Sequence, residues 1–372
     1  MMKRKRPPRI RRIAVSTGGG DAPGLNAVIR SVVMSAHHHG WECVGIRDGY
    51  AGLLDPPADG SGLMRLTPDR VRNITHLGGT IIGTTNVGNP LRFPTKLASG
   101  RVVERDRSSE LVRAFRRAKI DACVAIGGDG SLAIANVLAK KGLRVIGVPK
   151  TIDNDLSQTA TTFGFDTAVS FASECIERLH TTAASHRRVI VVEVMGRYAG
   201  WIALNAGVSS DAHVILIPEI PYRIERVAEA IRARERRGAH YAIVVVAEGA
   251  RPKGGHRSVL EKRPGAAERL GGIGKQVAGE IGALTGKETR QIVLGHLLRG
   301  GTPTTFDRLI SLRFGAAAVR ALAEGRSGVM VALAPPIVRY VPLAKVTRKI
   351  RNVPPNCDTV RTARELGTCF GD

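Results

Sequence analysis

Aromatic side chains make up only 4% of the 372 residues, too few for the stacking platforms on which single-stranded nucleic acid is held. No apolar run approaches the roughly 18–20 residues needed to span a bilayer. The opening stretch MMKRKRPPRIRR lacks the apolar centre and small-residue cleavage site of a secretory signal. The cysteines Cys43, Cys123, Cys175, Cys357 and Cys369 are scattered and form no CxxC, so neither a zinc ribbon nor a disulfide framework is indicated. A reducing cytoplasm is the expected home. Neither the GxGxxG dinucleotide fingerprint nor a GxxxxGK[S/T] P-loop is present, and there is no repeat of fixed period. Acid is also scarce: 32 Asp and Glu against 56 Lys and Arg give a formal charge of +24. Such an excess suits nucleic acid, an anionic membrane or small anionic substrates. Seven of the basic residues and no acid lie in residues 1–12, so the body alone still carries +17. That basic tail reads as a flexible solubilising arm in preference to a dedicated binding arm.

What remains is an ordinary 43% of hydrophobic residues on a chain whose length suits two or three domains. Short apolar runs alternate with helical stripes. RIAVST (12–17) reads as a strand and leads through GGGDAPG into LNAVIRSVVMSAHHHG. There Leu25, Val28, Ile29, Val32 and Val33 fall on one helix face, with Asp21 and Pro23 as start signals and Gly40 as a stop. DACVAIGG (121–128) repeats the scheme, with Ser131 as the expected N-cap of the next helix. RVIGVP, RVIVVEV, HVILIP, YAIVVVAE, RQIVLGH and GVMVALA are further continuous apolar strands. Runs apolar on both faces and interleaved with helices predict a doubly wound α/β architecture with mainly parallel sheets. The glycine-rich, basic stretch 249–272 reads as a surface excursion, and CDTVRTAREL as the one helix after residue 337. His37-His38-His39 reads as a solvated helix end, because consecutive helical residues point in different directions.

In open α/β sheets ligands gather beyond the carboxyl ends of the strands. Two such turns carry glycine clusters, Gly18-Gly19-Gly20 and Gly127-Gly128-Asp129-Gly130. Glycine lets backbone N–H groups approach phosphate oxygens, and the following helix offers its positive end. Phosphoryl transfer needs backbone donors, a carboxylate for a divalent metal, a base for the attacking hydroxyl, and cations. IGGDGS (126–131) supplies the donors and a metal carboxylate, Asp129. PKTIDND (149–155), one βαβ unit later, supplies Asp153 as base, Lys150 as phosphate cation and Thr151 as hydroxyl donor. One such turn alone is as readily an Asx-rich helix cap. Two of complementary chemistry on neighbouring strand ends point to a site.

Seven segments in order, TGGGDAPGLNAVIR, GIRDGYAGLL, GGTIIGTTN, IGGDGS, PKTIDND, VVEVMGRYAG and GHLLRGGTPTTFDR, closely resemble those of 6-phosphofructokinases. The likeness covers roughly nine-tenths of the chain. GGDG alone also occurs in NAD kinases and lipid kinases, which lack PKTIDND and MGRYAG. The resemblance implies two Rossmann-like domains: residues 13–163 with about 297–345 for the nucleotide, and about 164–296 with 346–372 for the sugar phosphate. It implies transfer of the γ-phosphoryl group of ATP-Mg²⁺ to the 1-hydroxyl of fructose 6-phosphate, a step of glycolysis. Gly20, Gly128, Asp129, Gly130 and Ser131 would hold the nucleotide and Mg²⁺. Lys150, Thr151 and Asp153 would act at the reacting centre, with Arg197 of Met195-Gly196-Arg197 stabilising the transferred group. Glu248 would bind sugar hydroxyls. His296 and Arg299 would hold the 6-phosphate together with Arg188 and Arg290 from a neighbouring subunit, which calls for a homodimer or homotetramer with shared active sites. Arginines suit a phosphate monoester because their fork grips it bidentately; each read alone is a solvated surface charge.

Some positions depart from the family pattern. Aspartate at the position of Gly130 accompanies pyrophosphate use, so glycine implies ATP; Lys150 accompanies pyrophosphate in many relatives and pulls the other way. A steric block outweighs an added cation. Asn86 stands where many relatives have an arginine, with Arg92 six residues on. Arg30 persists, but Met34 and His180 stand where allosteric relatives carry arginines for ADP or phosphoenolpyruvate, which implies weak or absent control by them. The pyrophosphate-dependent enzyme is the alternative, and a nucleic-acid-binding protein on a kinase scaffold a remote one.

Overall fold

The strand Arg12–Thr17 lies inside a seven-stranded sheet. The spatial order is Ile337–Pro342, Val329–Ala334, Arg144–Pro149, Ala122–Gly127, Arg12–Thr17, Glu42–Ile46, Leu63–Leu66. The computed structural model describes residues 9–96, 99–261 and 268–372. They form two units: the chain to Thr151 with Leu156–Gly164 and Gly300–Ile350, and Ile152–Asp155 with Phe165–Arg299 and Arg351–Asp372. Of the expected basic tail, residues 1–8 lie outside the described residues. Residues 9–12 belong to the fold, since Ile10 is buried and the Arg11 and Arg12 amides donate to Asp121 at 2.7 and 3.0 Å.

In this seven-stranded sheet the central strands pair in parallel and only the two edge pairs are antiparallel. Alternate residues of each central strand enter different cores. Ile13, Val15, Val124 and Ile126 pack with Val28, Ile29, Val32, Ile310 and Phe314, from the helices Leu25–His38 and Thr305–Ala323. Ala14, Cys123 and Ala125 pack with Leu111, Phe115, Leu132 and Leu138, from Ser108–Arg117 and Asp129–Lys140. The two faces are thus covered by different helices, as continuous apolar strands require.

Two start signals fall elsewhere than expected. The helix Leu25–His38 is capped by Gly24 at φ 104°, not by Asp21. A Cβ on Gly24 would meet the Ser311 hydroxyl at 2.6 Å, so close packing sets this entry. Ser131 is not an N-cap: the cap is Gly128, and Ser131 lies inside the helix Asp129–Lys140.

The second unit holds a parallel sheet in the order Thr289–Val293, Val189–Val194, Ala242–Ala247, Val214–Leu216. Val189, Val191, Val244 and Val246 pack against Val227, Ile231, Ile273 and Val277 of the helices Ile224–Arg236 and Ile273–Thr285. Phe165–His186 and Trp201–Ser209 also pack on this sheet. Asp358–Glu365 is helical as expected, and the excursion after Gly249 carries the short antiparallel pair Val259–Glu261 and Arg269–Leu270. No helix among the described residues is long and apolar enough to cross a membrane.

Candidate active site

In the first unit the strand order reverses between Arg12–Thr17 and Ala122–Gly127: the strands after Arg12–Thr17 continue to one side, and the chain then returns to the other. The helices leaving these two strands enter opposite cores, so a crevice opens at their carboxyl ends. Both glycine clusters sit there. The Gly18 amide donates to Ile126 O at 3.0 Å, and the Lys150 amide to Gly127 O at 3.0 Å. These glycines do different work. A Cβ on Gly18 would meet the Ser131 hydroxyl at 2.6 Å, and one on Gly127 would overlap the same side chain. Gly18 and Gly127 are therefore glycine because Ser131 packs into their turn. Gly130 opens the first turn of its helix with nothing within 4 Å of where a Cβ would stand. Beside it Asp129 is exposed at the helix N-terminus. Lys150 is buried, its Nζ donating to Gly20 O. Thr151 is buried too, its carbonyl accepting from the Thr162 hydroxyl at 2.7 Å. The Thr84 hydroxyl donates to Gly19 O at 2.6 Å, which ties the GTTN loop to the first glycine turn. Asn86 is exposed on that loop, and Arg92 is drawn to Glu104 at 2.7 Å.

The second unit brings together Asp153, Met195, Gly196, Arg197 and Glu248. Met195-Gly196-Arg197 follows the strand Val189–Val194, and Glu248 follows the adjacent strand Ala242–Ala247. The Glu248 carboxylate accepts from the amides of Gly196 at 3.3 Å and Arg197 at 2.9 Å. Burial above all, with the carboxylates of Asp153 and Glu193 adding, pushes the Glu248 carboxyl to about 7 against those two amides. The two turns are in backbone contact, since a Cβ on Gly249 would overlap Arg197 O. Arg197 and Asn154 both hold left-handed backbone, at φ 50° and 52°. Such conformations gather where function fixes the chain. Asp153, Asn154 and Asp155 are all buried.

His296 and Arg299 lie on the 3₁₀ turn Gly295–Arg299, past the carboxyl end of Thr289–Val293 and so on the same sheet edge as Met195–Arg197 and Glu248. Arg188 and Arg290 are not there. They stand toward the amino ends of two neighbouring parallel strands, the opposite edge, about 10–20 Å from the carboxyl ends by strand length. A single copy therefore does not bring these four residues to one phosphate. At their own edge Arg188 and Arg290 share one carboxylate, Glu288, with Arg188 at 3.2 Å. No sequence pattern announced Glu288, Gly249, or Glu219, which joins the Gly200 and Val353 amides at 3.1 and 2.8 Å.

At the residues compared with effector contacts, Arg30 donates to Val71 O at 3.3 Å, Met34 is partly exposed, and His180 donates to or accepts from Tyr241 Oη at 3.3 Å. His37–His39 end their helix exposed. Trp201 is half-buried, its Nε1 donating to Arg351 O at 2.9 Å.

The phosphofructokinase family profile matches residues 12–322. An ATP-dependent 6-phosphofructokinase of Chloroflexus aurantiacus is 52% identical over 97% of this chain and 98% of its own. ATP-dependent 6-phosphofructokinase 1 of Synechocystis sp. is 46% identical over 98% of this chain and 99% of its own. A pyrophosphate–fructose 6-phosphate 1-phosphotransferase of Amycolatopsis methanolica is 48% identical over 92% of this chain and 96% of its own. Among solved structures, Pichia pastoris phosphofructokinase in the T-state superposes with TM-score 0.78 at 29% identity, over 91% of this chain and 35% of that longer one. A pyrophosphate-dependent phosphofructokinase of Nitrosospira multiformis shares the fold, with TM-score 0.79 at 21% identity over 98% of this chain and 93% of its own.

Proposed function

The chain belongs to the phosphofructokinase family, and we propose that it transfers the γ-phosphoryl group of ATP to the 1-hydroxyl of fructose 6-phosphate, giving fructose 1,6-bisphosphate and ADP in glycolysis. The observation that carries ATP as donor is the open space beside Gly130, where no atom stands within 4 Å of a would-be Cβ. A longer polyphosphate chain needs that room, and a side chain there would take it.

Gly20, Gly128, Gly130 and Ser131 line the nucleotide phosphates, whose negative charge meets the N-terminus of Asp129–Lys140. Asp129 is the metal carboxylate. Among the described residues no group of three or more His, Cys, Asp or Glu side chains is arranged to hold a metal ion. One exposed carboxylate fits Mg²⁺, which takes most of its ligands from phosphate and water. When bound, that ion neutralises charge on the transferring oxygens. Asp153 accepts the proton of the 1-hydroxyl, a late transfer that a carboxylate of modest basicity manages. Thr151 orients that hydroxyl, Lys150 supports the phosphate chain from beneath the first glycine turn, and Arg197 meets the transferring phosphoryl group. Glu248, with Met195 and Gly196, holds sugar hydroxyls. His296 and Arg299 hold the 6-phosphate, completed by Arg188 and Arg290 of a second copy in a homodimer or homotetramer. The opposed sheet edges of the second unit support this sharing, because one copy does not supply all four. The free thiols Cys43 and Cys123, buried and pushed up by burial, are consistent with a cytoplasmic location.

Lys150 favours a second reading, pyrophosphate as donor. Initial rates with ATP and with pyrophosphate, at equal free Mg²⁺ and saturating fructose 6-phosphate, decide between them. ATP turnover at least about tenfold faster is expected; faster turnover with pyrophosphate would reverse the choice.

A further inference from the structure

Within the second unit a cleft of about 330 Å³ opens behind the MGRYAG turn. Its walls include Tyr198, Pro221, Arg251, Arg257 and Asn352, none of them used in the reaction above. That volume matches the lower end of small-molecule sites. Arg251 and Arg257 are exposed, and neither is ion-paired among the described residues. Arg257 lies over the Tyr198 ring at 4.9 Å, and Arg197 lies over the same ring at 5.2 Å.

Among the described residues one carboxylate lines the wall, and it is engaged elsewhere. Glu219 accepts from the Gly200 amide at 3.1 Å with each oxygen and from the Val353 amide at 2.8 Å. Burial also pushes its carboxyl above the usual carboxylate range. Among the described residues the cleft thus sets two guanidinium forks, an aromatic face and the Asn352 amide against one carboxylate that is already held by two backbone amides. Guanidinium forks match paired oxygens of a dianion.

We propose that this cleft is a binding site for a small organic dianion, gripped by Arg251 and Arg257 against Tyr198. The ligand's shared chemistry is two or more oxyanion oxygens on a compact carbon body, found in phosphate monoesters and in dicarboxylates. Occupancy also bears on the sugar-phosphate site, a consequence that rests on the kinase reading: a guanidinium drawn from Tyr198 to the ligand changes the packing under Arg197.

Calorimetric titration of the full chain, saturated with fructose 6-phosphate to fill its own phosphate site, tests the binding. Glycerol 2-phosphate and malonate serve as separate probes for the two ligand sources. At least one is expected to bind, and Arg251→Ala/Arg257→Ala to weaken it about tenfold or more. Both substituted side chains are exposed, so an unchanged melting temperature and saturated turnover are expected. Absence of binding by both probes, or binding that survives the double substitution, overturns the site. The bound probe should shift KM for fructose 6-phosphate in the native protein about twofold or more and leave it unmoved in the double variant. Binding with KM unmoved keeps the site and removes the coupling, a result independent of whether the kinase reading itself holds.

Discussion

Three positions separate the chemical roles most cleanly. Asp153→Ser removes a buried carboxylate while leaving a small polar group in its place. Turnover should fall on the order of 10²-fold or more with fructose 6-phosphate still bound, as titration without nucleotide would measure. Retained turnover would take the base role from this residue. Glu248 titrates near 7 in the folded chain, raised above its ordinary value, so it is protonated below that pH and ionised above it. The ionised form accepts hydrogen bonds from sugar hydroxyls. KM for fructose 6-phosphate should therefore fall as pH rises from 6 to 8, and Glu248→Gln should flatten that dependence. A profile with the same slope in both proteins would assign it to another group. At Gly130 the added atoms of Gly130→Asp meet no neighbour within 4 Å at the Cβ, so the variant should fold normally. Its carboxylate would stand in the nucleotide's space, and kcat/KM for ATP should drop roughly 10²-fold, about 2.7 kcal/mol. An unaltered ATP rate would show that the space beside Gly130 is not where the donor lies.

Elements differ in how far the sequence declared them. RIAVST and RVIGVP became strands over their full length, because strands buried on both faces have no polar positions to blur them. The five apolar positions of Leu25–His38 are all buried, since one stripe faces one core. Ile337–Pro342 was not legible. It is an antiparallel edge strand, mostly exposed, whose β-branched and aromatic residues favour a strand but whose Arg339 and closing Pro342 break the apolar run that marked the central strands. The antiparallel pair Phe93–Lys96 and Val102–Arg105 is mostly exposed and mixes apolar with charged residues, so no apolar run marked it. Asp21 and Ser131 looked like caps because small polar residues usually cap. Here Gly24 and Gly128 take that place, and the Ser131 side chain fills the space against Gly18 and Gly127. The glycines and acids of the candidate site were legible as residue types at strand ends. Their partners were not, because Gly249 against Arg197 O is a contact between turns far apart in sequence. That contact is testable. Gly249→Ala must push the MGRYAG turn away, and a loss on the order of 2 kcal/mol in thermal or urea unfolding is expected. KM for fructose 6-phosphate should rise with it. Wild-type stability in this variant would mean that the two turns part without cost.

At the scale of the whole molecule, the position of Arg188 and Arg290 decides how many chains make one site. Both project from the amino edge of a parallel sheet whose carboxyl edge bears Met195–Arg197, Glu248 and, beyond it, His296 and Arg299. Strand direction fixes this opposition, so loop movement within one chain does not undo it. Glu288 lies between the two arginines and pairs with both. A site that draws on this pair together with His296 and Arg299 would take the arginines from another copy. Co-expression of two inactive chains tests the claim. One carries Asp153→Ser, and the other Arg188→Ala/Arg290→Ala. In a mixed assembly the second chain keeps its own Asp153 and receives both arginines from the first. Turnover well above the sum of the two parents, in material purified through tags on both chains, is the expected outcome. If the mixed assembly is no more active than its parents, the two arginines act within their own chain and the site is not shared.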